Sequence, residues 1–249
     1  MITTIFYVII SVILISLISL IGAFTISIKI DKLKKFLIYL VSFSAGALFG
    51  GAFLHLLPEL AEYGLSFRMS CFILVGIVLF FAIEKIVQWN HCHMPITKTH
   101  VHSFAYMNLI GDGVHNFVDG LIIAASYLIN IPTGIATTIA VALHEIPQEI
   151  GDFGILLHGG FSRIKALSLN FLSGLVAVLG AVVGLFLSRY IENIELIIVP
   201  IAIGGFIYIA GSDLIPELHK HYGIKEGILQ LIAFIVGILV MAGLLFLGS

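Results

Sequence analysis

The sequence predicts an all-α membrane protein with eight transmembrane helices, and its composition and its apolar runs are the basis for this. Of 249 residues, 60% are hydrophobic and 10% are charged, whereas soluble domains carry roughly 25% charged residues. A soluble fold of this size could not hide so much apolar surface, so lipid must surround the chain. The apolar runs are continuous over roughly 20 residues, the length that a helix needs to cross a bilayer. They do not alternate as barrel strands do.

Eight such runs follow one another when the chain is divided at its charged, proline and polar clusters. No segment between them is long enough for a soluble domain, so residues 1–249 are predicted to form one transmembrane domain. The first run lacks a basic segment before it and a small-residue cleavage site after it, so we expect a retained helix. The predicted helices, one to eight, span about 3–28, 36–61, 68–90, 104–129, 132–158, 164–190, 194–219 and 225–247.

The basic residues predict the orientation. If the N-terminus is outside, the outer loops hold only Arg68 and Arg189, while Lys85 lies near the inner end of helix three. This asymmetry places both termini outside a cell membrane and a histidine-containing loop of about residues 91–103 in the cytoplasm. The basic residues of the cytoplasmic loops are Lys29, Lys32, Lys34, Lys35, Lys98, Arg163, Lys165, Lys220 and Lys225.

A short pattern occurs twice, as LHLLPEL at 54–60 in helix two and as SDLIPEL at 212–218 in helix seven. Each copy has a polar residue three places before its proline. Helices five apart run in opposite directions, so the pattern suits an inverted repeat. It predicts a 3+2+3 arrangement in which helices one to three repeat as helices six to eight. The alternative is coincidence in a leucine-rich chain.

Helices four and five carry most of the intramembrane polar side chains. At 100° per residue, the polar residues of each helix share one face, within arcs of about 100° and 140°. Helix four contributes Asp112, His115, Asn116 and Asp119. Helix five contributes His144, Glu145, Gln148, Glu149 and Asp152.

This pattern predicts a divalent metal pathway. An acidic side chain at the bilayer centre costs roughly 2.5–3.5 kcal/mol, so several without partners would cost on the order of 10 kcal/mol. The chain has no matching set of intramembrane Lys or Arg to balance them. Imidazole together with carboxylate suits zinc, and also iron, manganese or cadmium. The alternatives are a polar network that only ties helices together and a proton relay.

Pro147 interrupts helix five between Glu145 and Gln148. Proline removes one helix hydrogen bond and leaves the carbonyl of Leu143 without its partner. In a membrane such a break is tolerated where protein or a water-filled cavity satisfies the backbone. We therefore expect a cavity here, with a simple packing kink as the alternative.

The loop before helix four is dense in potential soft ligands. The spacing fits no structural zinc finger. Weak, exchangeable metal binding is one interpretation, and a solvated connector is the other. Its potential ligands are His91, Cys92, His93, His100 and His102.

Four strings in these helices resemble the Zrt/Irt-like protein (ZIP) family of metal transporters and, within it, the LIV subfamily. They are HNFVDG at 115–120, HEIPQEIGDF at 144–153, FLHLLPE at 53–59 and SDLIPEL at 212–218. The resemblance covers nearly the whole chain. It implies eight helices in the 3+2+3 repeat, outside termini and a homodimer.

The resemblance also implies a binuclear-type metal site between helices four and five. Its ligands would be His115, Asn116, Asp119, His144, Glu145 and Gln148, with Glu149 beside them. The subfamily has His where this chain has Gln148, which should weaken the preference for zinc. Some members place a carboxylate in helix six, where this chain offers Asn170 and Ser173.

The sequence therefore predicts a secondary transporter that moves Zn²⁺, or Fe²⁺, Mn²⁺ or Cd²⁺, into the cytoplasm as substrate. It predicts no enzyme and no catalytic cofactor, and the absence of a lysine-rich tract argues against nucleic acid as a partner. One alternative is an intramembrane zinc metalloenzyme, because His144-Glu145 begins an HExxH-like pattern; Gln148 breaks it. A metal sensor without transport is another alternative.

Overall fold

The computed structural model describes residues 2–25, 30–89, 101–219 and 223–247. Within these ranges the chain is helical and contains no strand, which confirms the all-α prediction. Most of the predicted histidine loop lies outside the described residues.

The first half of the chain forms five long helical stretches. The predicted helix two is one continuous helix with a π segment in its middle. The elements are α1 (Ile2–Ile18), α2 (Gly22–Thr25), α3 (Ile30–Gly50), a first π segment (Gly51–Leu56), α4 (Leu57–Glu62), α5 (Phe67–Trp89), α6 (Val101–Ile129) and α7 (Ile131–His158).

The second half contains a further π segment. The elements are α8 (Arg163–Gly174), α9 (Val176–Leu187), α10 (Glu195–Tyr208), a second π segment (Ile209–Leu214), α11 (Ile215–Leu218), α12 (Ile224–Leu244) and a 3₁₀ turn (Leu245–Leu247). Among the described residues, six stretches are long and apolar enough to cross a membrane. They are Ile2–Phe24, Phe36–Glu62, Phe67–Lys85, Arg163–Leu187, Glu195–Ser212 and Ile224–Leu244.

The stretch predicted for helix one, about 3–28, is interrupted within its length, and its predicted end lies outside the described residues. Helix α1 stops at Ile18, and Ile21 N–H donates to the Ile18 carbonyl at 2.7 Å in a tightened turn. Gly22 then passes so close to α7 that a Cβ there would lie 2.8 Å from Cβ of Phe153. This close approach follows the break and is a tertiary contact that hydrophobic periodicity does not encode.

The helices form two groups by their packing. One group contains α1, α6, α7, α8 and α9, and the other contains α3, α5, α10 and α12. In the second group, α3 packs along α12 and α5 packs along α10. The two groups meet where α7 lies against α3 and the first π segment, and where α6 lies against α10.

Glycines allow the closest helix contacts in the second group. At four of them an added Cβ would overlap a backbone carbonyl oxygen of the facing helix. The contacts are Gly46 with Phe234, Gly237 with Phe43, Gly76 with Ile201 and Gly204 with Ile73.

The break at Pro147 is satisfied by protein. Ser44 Oγ of α3 can donate its hydrogen bond to the carbonyl oxygen of Leu40 in its own helix or to that of Leu143, the group that the proline leaves without a partner. Pro147 also lines a cavity. Both conditions expected from the sequence are therefore met at this position.

Candidate metal centre

A short, capped connection sets α6 and α7 side by side. Asn130 is the only residue between them, and its Oδ1 accepts a hydrogen bond from Thr133 N–H at 2.8 Å, which caps α7. Its Nδ2 donates to Glu59 Oε2 at 2.9 Å. The two helices are therefore antiparallel neighbours with a fixed register.

Four side chains of α6 and α7 converge on one point. Nε2 of His115 lies 3.2 Å from Nε2 of His144 and 3.3 Å from Oε1 of Glu145. Nε2 of His144 lies 3.2 Å from Oδ2 of Asp119 and 3.5 Å from Oε1 of Glu145. Four ligands about 2.0–2.2 Å from one ion at tetrahedral corners would lie about 3.3–3.6 Å apart. Nε2 of His115 lies 3.7 Å from Oδ2 of Asp119. Five of the six separations among the four atoms are thus close to those of a tetrahedral metal cage.

The backbone fixes the tautomer of one imidazole. Nδ1 of His144 lies 3.1 Å from the carbonyl oxygen of Ala140. Since a carbonyl only accepts, Nδ1 carries the proton and Nε2 presents its lone pair to the cluster. Such a second hydrogen bond is the usual partner of a metal-binding histidine.

The two carboxylates of this cluster are buried without hydrogen bonds. Asp119 and Glu145 are 0% and 1% exposed, and none of their four oxygens has a hydrogen-bond partner among the described residues. Buried polar groups are almost always paired, and an isolated buried charge is far costlier. The arrangement calls for a cation at the point where the four ligands meet.

The other predicted ligands lie towards a second group of acidic side chains. Nδ2 of Asn116 donates to Oδ1 of Asp112 at 3.0 Å, and Nε2 of Gln148 lies 3.5 Å from the same oxygen. Glu149 belongs to a cluster with Asp112 and Asp152, in which the ligand oxygens lie within 4.8 Å of one another. The two aspartates lie on the predicted polar faces, but the ligand set implied by the resemblance leaves them out.

Polar residues outside the predicted ligand set hold these carboxylates. Ser19, in the turn after α1, donates to Oε1 of Glu149, and Nδ2 of Asn170 of α8 donates to Oε2 at 2.6 Å. Nδ2 of Asn108 donates to Oδ1 of Asp152 at 2.7 Å. For Ser19 and Asn108 the available signal was weak, since a Ser or Asn in an apolar stretch commonly does no more than hydrogen-bond between membrane helices. Asn170 had been noted only as the residue that replaces a helix-six carboxylate.

A cavity of about 630 Å³ extends from His115 and His144 towards one end of the helices. It reaches Glu84 on α5 and Ile155 on α7, near the helix ends that border residues 90–100 and 159–162. On the other side of the centre, α6 and α7 carry apolar side chains that are at most 2% exposed: Ile122, Ile123, Ala136, Ala140 and Val141. The cavity thus opens the centre towards one end of the helices, and these buried side chains lie towards the other end.

The chain matches a known family over most of its length. The family described as ZIP zinc transporter matches residues 90–245. Zinc transporter ZIP13 of Pongo abelii is 34% identical over 217 residues, which cover 81% of this chain and 65% of the relative. Zinc transporter ZIP13 of Danio rerio is 32% identical over 268 residues, with 85% and 76% covered.

A third relative is much longer than this chain. Zinc transporter ZIP10 of Homo sapiens is 34% identical over 174 residues, which cover 62% of this chain and 21% of the relative. The chain thus spans about a fifth of that protein.

The family and these relatives are described as transporters and not as enzymes, so the metalloenzyme alternative is set aside.

Proposed function

Because the chain belongs to the ZIP family of zinc transporters, we propose that it moves Zn²⁺ across the membrane through the centre on α6 and α7. The observation behind this proposal is the group of four converging ligand atoms of His115, Asp119, His144 and Glu145. Two imidazoles and two carboxylates are a typical zinc set. Two negative charges neutralise one divalent ion, which lowers the cost of holding it inside the bilayer.

The proposed transporter has eight membrane helices. Helices α6 and α7 are not among the six stretches that are apolar enough, because they carry the polar residues of the centre. Their 29 and 28 residues would nevertheless extend about 42 Å, more than the roughly 30 Å of hydrocarbon.

An inverted 3+2+3 repeat has support from backbone geometry. Each π segment begins seven residues before the proline of its PEL motif, at Gly51 and at Ile209. The offset that aligns Pro58 with Pro216 also aligns Gly46 with Gly204. Both glycines allow a close contact with a helix of the other repeat, since Gly46 meets α12 and Gly204 meets α5. Coincidence in a leucine-rich sequence would not reproduce these contacts.

Transport requires that the metal centre be open to one side of the membrane at a time. The cavity leads towards the helix ends that the basic residues place in the cytoplasm, while apolar side chains close the opposite route. The group containing α6 and α7 would move against the group containing α3 and α10, exposing the centre to the outside. The same proposal places the protein in the cell membrane with both termini outside, and it has the ion move into the cytoplasm. It also includes a homodimer and a range of transported ions that contains Fe²⁺, Mn²⁺ and Cd²⁺.

Uptake of labelled zinc into proteoliposomes tests the proposal. We expect His144→Ala and Glu145→Ala each to lower uptake at least tenfold, because each removes one ligand of a four-ligand site. His219→Ala and Glu192→Gln are matched controls, because they change exposed residues away from the centre. Wild-type uptake by both centre variants would show that the ion takes another route, and binding without uptake by the wild-type protein would favour a sensor.

A further inference from the structure

We propose that Asp112, Glu149 and Asp152 form a second divalent-cation site, built from oxygen ligands alone. The three carboxylates each offer one oxygen, and these oxygens lie within 4.8 Å of one another. The second site rests on the proposed function only for the statement that an ion moves from the first site to the second. Binding at the second site can be measured without transport.

The second site lies one helical turn from the first. Asp112 precedes His115 by three residues on α6, and Glu149 follows Glu145 by four on α7. Since α6 and α7 are antiparallel, both steps lead in the same direction, by about 4.5–6 Å. That direction is towards the open end of the cavity, which Asp112 and Asp152 also line.

Oxygens without partners point to a ligand at this cluster. Asp112 is 5% exposed and Asp152 is 9% exposed, yet Oδ2 of each has no hydrogen-bond partner in the part of the chain that the structure describes. The amide of Asn116 is fully buried against Asp112, and its Oδ1 also lacks a partner there. Buried oxygens left unpaired in this way are rare unless an ion or water occupies the space.

The other carboxylate oxygens of this cluster accept hydrogen bonds from neighbouring side chains, as metal-binding carboxylates commonly do. Both oxygens of Glu149 accept hydrogen bonds, from Ser19 and Asn170, and still have lone pairs free. Oδ1 of Asp152 accepts from Asn108. Outer hydrogen bonds of this kind orient carboxylates that bind metal.

Among the described side chains, no Lys or Arg balances the three carboxylates. The cavity lining contains neither Lys nor Arg among the described residues. Every ion pair found between described residues involves His115 or His144, and the acidic partners are Asp119 and Glu145. A bound divalent cation supplies the missing positive charge.

The ligand chemistry separates the two sites. Carboxylate oxygens suit Mn²⁺ and other hard ions, whereas imidazole nitrogen suits zinc. The second site should therefore bind Mn²⁺ well and zinc more weakly than the first. An ion that leaves His115 and His144 would pass it on the way out, so a weaker zinc site there favours release.

Mn²⁺ binding to the purified protein, followed by electron paramagnetic resonance, tests this. In the His115→Ala/His144→Ala variant we expect one bound Mn²⁺ whose spin-echo spectrum lacks nitrogen coupling. In otherwise intact protein whose first site is occupied by zinc, Asp112→Asn/Asp152→Asn should weaken Mn²⁺ binding at least tenfold while the zinc keeps its nitrogen ligands. Glu192→Gln is the control, and size-exclusion chromatography confirms that each variant is folded.

Two results would overturn the second site. One is unchanged Mn²⁺ affinity in folded Asp112→Asn/Asp152→Asn protein. The other is nitrogen coupling, or no Mn²⁺ at all, in folded His115→Ala/His144→Ala protein, since three protonated carboxyls need no cation. Absence of zinc with nitrogen ligands in the wild-type protein would instead count against the proposed function, and the Mn²⁺ result would still decide the second site.

Discussion

Gln148 lies between the two clusters of potential ligands. One is the centre of His115, Asp119, His144 and Glu145, and the other is the carboxylate cluster of Asp112, Glu149 and Asp152. Its Nε2 is 3.5 Å from Oδ1 of Asp112, and it follows His144 by one turn. The side chain can therefore reach an ion that passes from one group to the other. An amide oxygen is a harder ligand than imidazole, so this residue is placed to broaden the range of ions.

We expect Gln148→His to narrow that range towards zinc and cadmium, because it adds a nitrogen ligand. Excess Mn²⁺ or Fe²⁺ should compete with labelled zinc several-fold less well in this variant than in the wild type. Gln230→His is the matched control, since Gln230 is a buried glutamine on α12 that lines a different cavity. Equal competition in Gln148→His and wild type would show that residue 148 does not contact the selective site.

The polar faces of α6 and α7 were predictable from the sequence, but their division into two groups was not. Helical periodicity placed Asp112 and Asp119 on one face. Which of them meets Glu145 depends on how far two antiparallel helices are shifted along each other. A single capping residue, Asn130, helps to set that shift. The sequence also did not predict the interruption after α1, where Gly22 packs closely against Phe153.

At the scale of the element, the break in α7 depends on a partner in another helix. Ser44 of α3 donates to the Leu143 carbonyl that Pro147 leaves free. Without the hydroxyl, that carbonyl is left unsatisfied, which costs about 1–3 kcal/mol. The hydrogen bond also joins the two helix groups at the level of the centre.

A double-mutant cycle checks this. Ser44→Ala should lower the free energy of unfolding by about 1 kcal/mol in detergent. With Pro147→Ala the residue regains an N–H that can bond to Leu143, so adding Ser44→Ala should then cost much less. Ser42→Ala is the control, because Ser42 Oγ donates only to Ile38 within α3. Additive effects of the two changes would show that the proposed partnership does not exist.

The second prediction at this scale concerns two glycines at close helix contacts, Gly46 between α3 and α12 and Gly204 between α10 and α5. Gly46→Ala and Gly204→Ala should each destabilise the protein by about 1–3 kcal/mol, since a Cβ would meet a backbone carbonyl that cannot rotate away. Gly243→Ala should be nearly neutral, because an added Cβ meets nothing within 4 Å. Thermal unfolding of the purified variants measures the three effects. A neutral result at either of the first two positions would contradict the close packing.

At the scale of the whole molecule, the orientation determines which solution the cavity faces. The basic residues predict that the loop between α5 and α6 is cytoplasmic. A cysteine introduced at position 98, in a background without Cys71 and Cys92, should react with impermeant reagents only after the membrane is opened. Labelling from the outer face of intact cells would reverse the orientation and the direction in which the cavity opens.

The last prediction concerns access to the centre from its two sides. Ile155 lines the cavity, whereas Ala136 is 2% exposed within the apolar side chains beyond Asp119. In purified protein without metal, a cysteine at position 155 should react with a water-soluble thiol reagent at least tenfold faster than one at position 136.

If the two helix groups move against each other, locking them should preserve this contrast, because the apolar side chains then cannot separate. A cross-link between α7 and α3, which face each other across the boundary, provides the lock. Locked protein should bind zinc at the centre but fail to transport it. Transport at the unlocked rate by fully cross-linked protein would show that movement between these two groups is not the step that exposes the ion.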